Sequence, residues 1–154
     1  MTDTALYLED LAVGQIFETA SHTLTAAEIK VFAASFDPQY FHLDEEAAKD
    51  SLFGGLAASG WHVAATSMRL MVQSSRIAGG LIGAGVEINW PRPTRPGDTL
   101  RVVTEVVEIA PSRSRPERGM ILLRSNTFNQ LDEIVQTMAS RMVVPRRPSP
   151  ETDK

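Results

Sequence analysis

Cysteine is absent from this chain. Its absence excludes disulfides, thiolate nucleophiles and zinc sites built on sulfur, while saying little about compartment. Histidine is scarce. The three present, His22, His42 and His62, show no metal-ligand spacing, so no metal is expected. No apolar run approaches the roughly 20 residues that span a bilayer. The N-terminus, MTDTALYLEDLAVGQ, lacks a basic patch followed by an apolar stretch, so no secretory signal is expected. A soluble cytoplasmic protein is the default. Positive charge is not in excess either: 15 basic against 19 acidic residues leave a net charge of −4. That balance argues against general nucleic-acid binding but allows a local basic patch for a phosphorylated ligand.

What is present suits one ordinary soluble domain. The 154 residues are 43% hydrophobic and 22% charged, enough for a sizeable single core. Leu8–Gly14 reads as a loop and Gln15–Leu24 as a strand. Thr25 with Glu28 forms a Thr-x-x-Glu capping box that predicts a helix from Ala26 to about Ser35, ended by Asp37-Pro38. A short acidic helix is expected at Asp44–Lys49. A longer helix should start near Ser59 and run about 18 residues, roughly 27 Å, until Gly79-Gly80. Its apolar stripe, Trp61, Ala64, Ala65, Met68, Met71 and Val72, is expected to be buried. His62, Thr66, Arg69, Gln73 and Arg76 form a second, polar stripe. Beyond it Val86, Ile88 and Trp90 alternate with polar residues as in a strand, and further strands fit Thr99–Ile109, Met120–Phe128 and Glu133–Val144. Residues 1–144 thus read as a single α+β domain with a sheet curled around one long helix, and the tail from Pro145 is expected to be disordered.

The segment Phe36-Asp37-Pro38-Gln39-Tyr40-Phe41-His42-Leu43-Asp44 carries the chemistry. A carboxylate and an imidazole five residues apart across a proline-led turn can point into one cleft and move protons to and from water. The bland alternative is a helix-end Asp37 and a satisfied loop His42. Asp37 through Asp44, with Ala48, resembles the hydratase signature of MaoC-like dehydratases and (R)-specific enoyl-CoA hydratases. Phe53-Gly54-Gly55-Leu56-Ala57-Ala58-Ser59-Gly60-Trp61 resembles the family's approach to its central helix. Pro93-Thr94-Arg95-Pro96-Gly97-Asp98-Thr99-Leu100 resembles its Pro-x-x-Pro-Gly-Asp connection. Two departures stand out: Gln39-Tyr40 replace the usual Asn-Pro, and Phe36 replaces a small residue.

The resemblance implies a hotdog fold, normally dimeric, acting on acyl-CoA thioesters with no further cofactor. It implies that Asp37 and His42 are the catalytic pair, holding a water beside the C2=C3 bond of a trans-2-enoyl-CoA. One group withdraws a proton from the attacking water and the other handles the proton at C2, Asp37 being the expected base. Gly60 matches a glycine whose N–H faces the thioester oxygen, a suitable donor because the first N–H groups of a helix lack partners. Ser59 stands where many relatives have histidine, and Ser59, Gln39 and Tyr40 are expected beside the site. Phe36 and Phe41 are read as core, His22 and His62 as structural. Arg92, Arg95, Arg113, Arg115 and Arg118 are solvated loop residues or contacts for CoA phosphates. A hotdog thioesterase and a non-catalytic acyl-CoA-binding subunit are the competing functions, and a homodimer or dimer of dimers is the expected assembly.

Overall fold

The computed structural model describes residues 4–150. A single 3-10 turn, Leu8–Asp10, precedes two short strands, β1 (Ile16–Glu18) and β2 (His22–Thr23), where one continuous strand was expected. Helix α1 (Ala26–Phe36) begins at the capping box: Thr25 Oγ1 accepts from the Glu28 N–H, and the Glu28 carboxylate accepts from the Thr25 N–H. Single helical turns α2 (Tyr40–Leu43) and α3 (Glu45–Ala48) follow, then α4 (Gly60–Ser74) and strands β3 (Ile82–Asn89), β4 (Thr99–Pro111), β5 (Arg118–Phe128) and β6 (Ile134–Pro145).

The pairings between these strands are antiparallel, in the order β1-β4-β5-β6-β3, with β2 also on β4. The long hairpin strands alternate buried and accessible residues, and their buried side chains meet α4 in a core that includes Leu70, Met71, Val102 and Met138. This is the hotdog fold, an antiparallel sheet around one long helix.

Helix α4 departs from its sequence pattern in two ways. It stops at Ser74, because the Ser74 hydroxyl donates to the Leu70 and Met71 carbonyls and Ser75 turns extended, five residues before Gly80. Its buried face is also rotated. His62, Val63, Thr66, Ser67, Leu70 and Met71 lie inside, whereas Trp61 and Val72 are 60% and 54% exposed. The inward stripe is partly polar because the sheet beneath it is: Ser67 Oγ meets Thr127 Oγ1 at 2.7 Å, and Thr104 meets Ser125 at 2.9 Å. Hydroxyl partners across the interface make those positions buriable, which a hydrophobicity stripe does not register.

At the C-terminal end, Arg146 donates to Glu9 and Arg147 to Asp10, with Arg147 also over the Tyr7 ring. The first residues of the tail are therefore tied to the N-terminal turn by paired charges. Residues 151–154 lie outside the described residues.

Candidate active site

The chain reverses between α1 and α4 through a run of caps. Asp37 closes α1, its N–H bonded to the Ala33 carbonyl, and Pro38 cannot continue the helix. Asp44 caps α3 by accepting from the Glu46 and Ala47 N–H groups. The single turn α2 between these aspartates turns His42 inward. The Ala57 N–H donates to the Phe41 carbonyl at 3.1 Å, and His42 Nδ1 lies 2.6 Å from the Ala57 carbonyl. Ala57 thus fixes both the backbone ahead of His42 and the imidazole itself.

The 51–58 segment is itself clamped. Arg95 Nη1 donates to the Gly55 and Leu56 carbonyls and Nη2 to the Phe53 carbonyl. Of the two readings for Arg95, its guanidinium serves the protein's own backbone. The Pro-Gly-Asp turn behind it is formed by Gly97 at φ +86°, and Asp98 accepts from the Arg95 N–H and from Gln130.

These constraints bring Asp37 and His42 together. Asp37 Oδ2 lies 3.2 Å from His42 Nε2, with side chains 17% and 5% exposed. Ser59 Oγ donates to Asp37 Oδ2 at 2.7 Å and Gln39 Nε2 donates to Oδ1 at 2.6 Å. Burial pushes the Asp37 carboxyl up, but the Ser59 and Gln39 hydrogen bonds and the His42 ring outweigh it and hold the group below its ordinary value. The tautomer follows from the partners. A carbonyl only accepts, so His42 Nδ1 carries a hydrogen toward Ala57 and Nε2 faces the carboxylate. At 3.2 Å, Nε2 and Oδ2 are close enough to exchange a proton directly.

Ser59 occupies the N-cap of α4 yet makes no capping bond, its hydroxyl being turned to Asp37. The first N–H groups of α4 therefore have no side-chain cap. Gly60, first in that helix, lines a cavity of about 370 Å³ together with Gln39, Phe41, His42, Phe53 and Trp90. The remaining candidates separate. Phe41 lines the cavity rather than the core. Phe36 is 74% exposed, resting on Phe32 at the rim of α1, so it is not core either. Tyr40 is exposed and leans edge-on against Phe41, outside the cavity wall. His62 stacks flat on Phe32, and burial pushes its imidazole below the ordinary range, with Glu28 opposing. His22 pairs with Glu28. Arg92 also lines the cavity and pairs with Glu133 at 3.3 Å.

Matching this geometry, the MaoC like domain family covers residues 10–121, from ahead of β1 into β5. The chain belongs to that family. It is 36% identical to the uncharacterized protein YdeM of Bacillus subtilis over 126 residues, 80% of this chain and 87% of that one. It is 29% identical to a 3-hydroxybutyryl-CoA dehydratase of Methylorubrum extorquens over 144 residues, 92% and 86% of the two chains. A solved MaoC-like dehydratase from Rhodospirillum rubrum shares 59% of its sequence, with a TM-score of 0.92 over 94% of this chain and all of that one. At family level the chain stands among MaoC-like hydratases and dehydratases.

The cavity residue Trp90 and its buried partner Gln136 carried no functional expectation from the sequence. Gln136 is fully buried and accepts from the Trp90 indole N–H at 2.9 Å. The available signal was register: Gln136 shares the inward phase of β6 with Met138 and Met142, where a polar residue needs a reason.

Proposed function

We propose that the protein reversibly adds water to the C2=C3 bond of a trans-2-enoyl-CoA, giving a 3-hydroxyacyl-CoA, and that Asp37 and His42 are its catalytic pair. The observation supporting this reading is a carboxylate 3.2 Å from an imidazole that lines one cavity together with Gly60, at the uncapped N-terminus of α4. A water seated against the pair gives a proton to Asp37 as its oxygen bonds to C3. The double-bond electrons move toward the thioester carbonyl, whose oxygen gathers negative charge. The Gly60 N–H, at the positive end of α4, stabilises that charge where it develops. His42 Nε2–H then gives a proton to C2, leaving a neutral imidazole beside a protonated carboxyl. Transfer from Asp37 back to His42 across their hydrogen bond restores the starting state. No cofactor beyond the substrate's CoA takes part.

Ser59 and Gln39 hold the carboxylate ionised and aimed, so Asp37 is the base toward water. The functional assembly is a homodimer. Strand β3 forms a sheet edge, Ile82 and Val86 upon it are exposed, and so are Trp61 and Val72 of α4.

The deciding experiment mixes purified protein with a ladder of trans-2-enoyl-CoA thioesters and follows the conjugated-enoyl absorbance and free thiol together. Loss of the band without thiol release, abolished by Asp37→Asn, is expected. Thiol release would point instead to a thioesterase, and silence in both signals to a binding subunit.

A further inference from the structure

The cavity beside His42 is bounded by one side chain whose position is fixed from two directions. Trp90 stands at the end of β3 and lines the cavity with Pro91 and Pro93, which stiffen the chain immediately after it. Its ring lies flat against the first residue of α4: a methyl group placed on Gly60 would come within 2.6 Å of the indole. Glycine at 60 therefore makes room for the indole beside the start of α4. The ring nitrogen is held by Gln136. The indole N–H only donates, so the amide oxygen of Gln136 is the atom that receives it. Gln136 is wholly enclosed, and its amide nitrogen has no hydrogen-bond partner among the described residues. A buried amide with one unsatisfied end is costly, so its retained bond to Trp90 restricts the indole to one orientation. Trp61 meets the same ring edge-on at 5.4 Å.

We infer that Trp90 is the specificity-determining wall of the acyl-thioester cavity, and that Gln136 is the positioning residue that sets it. The inference rests on the proposed enoyl-CoA reading for its substrate class. Phe41, Phe53 and Val63 give the cavity further apolar lining suited to hydrocarbon. The indole is the large rigid group that both lines His42's cavity and packs on Gly60, so it limits how much acyl chain or branching fits while C3 stays against the water.

The test compares the parent with Trp90→Ala, Trp90→Phe and Gln136→Leu on a ladder of straight and branched enoyl-CoA thioesters. Calorimetric binding of the matching saturated acyl-CoAs is measured in parallel. Trp90→Ala is expected to move the optimum of kcat/KM to acyl groups longer by two or more methylenes. Each methylene newly accommodated changes selectivity roughly 10–200-fold. Gln136→Leu and Trp90→Phe both remove the fixing hydrogen bond. Each should broaden the length profile, chiefly by raising KM for the preferred acyl group with kcat little changed, and the double variant should be no broader than either. A uniform fall in kcat with the length profile intact would show a merely structural role and overturn the inference. If the parent binds saturated acyl-CoAs but turns none over, the hydration reading fails alone and the same length profiles, read as binding, decide the wall. Absence of both binding and turnover overturns both.

Discussion

Each oxygen of Asp37 has a donor of its own, Ser59 and His42 on Oδ2 and Gln39 on Oδ1. If one pair serves one water, its members act as a unit. Asp37→Asn and His42→Ala should each reduce kcat/KM by about 10²–10⁴-fold, and the double variant should be little worse than either single. Multiplicative losses in steady-state kinetics would separate the two residues into independent roles. Asp37 also predicts a pH dependence. Its folded-state value is depressed, so the ionised form contributes stability above the ordinary carboxylate range, and that contribution disappears as pH falls through the depressed value. The acid limb of kcat/KM should follow the same group and lie below the ordinary carboxylate range. Ser59→Ala removes a hydrogen bond to the charged form, so the limb should move to higher pH while the protein stays folded. A pH–rate profile that does not move would show that Ser59 does not set the ionisation of Asp37. One pair 3.2 Å across reaches only one face of a double bond. Hydration in deuterated water should therefore add both new atoms to the same face, as read from proton coupling constants in the product.

Among the elements, the caps and clamps that shape the site give separable stability effects. Thr25→Ala removes the reciprocal capping box of α1 and should cost about 1 kcal/mol in denaturant unfolding, with little effect on turnover. Arg95 is different in kind, because its guanidinium satisfies three carbonyls of the segment that presents Ala57 to His42. Arg95→Ala should cost more, about 1–3 kcal/mol for the stranded groups, and lower activity as the segment loosens. If thermal melting and kcat/KM both stayed at parental values, the clamp would be dispensable. These capping features were readable beforehand for a physical reason. A capping box and an Asp-Pro stop are local, spanning three or four residues with their partners in the same stretch. The early end of α4 was missed because Ser74 competes with the glycines further on, and composition does not rank them.

For the molecule as a whole, the exposed apolar residues of β3 and α4 need cover, which in the proposed dimer comes symmetrically from a second copy. Light scattering after size exclusion should give a dimer. Val86→Lys, placing a charge on the edge strand, should shift the mass toward monomer. A monomeric parent would remove the dimer from the proposal. The rotation of α4 belongs to this scale. A stripe containing Trp61 and Val72 was expected inside, yet these residues face outward while His62, Thr66 and Ser67 are buried. Hydrophobicity identifies residues that need cover without saying whether the chain's own sheet or another copy provides it.

By itself the sequence determined the order of elements, the α+β class and the pairing of Asp37 with His42 across a proline-led turn. Each depends on periodicity, on local caps or on a short contiguous motif, and such signals survive without knowledge of distant contacts. Tertiary structure alone decided that Ser59 turns from its helix to Asp37, that Arg95 clamps its own backbone, and that Gln136 holds Trp90 against Gly60. Those contacts join residues 22 to 46 positions apart, and their geometry exists only once the sheet has closed over the helix.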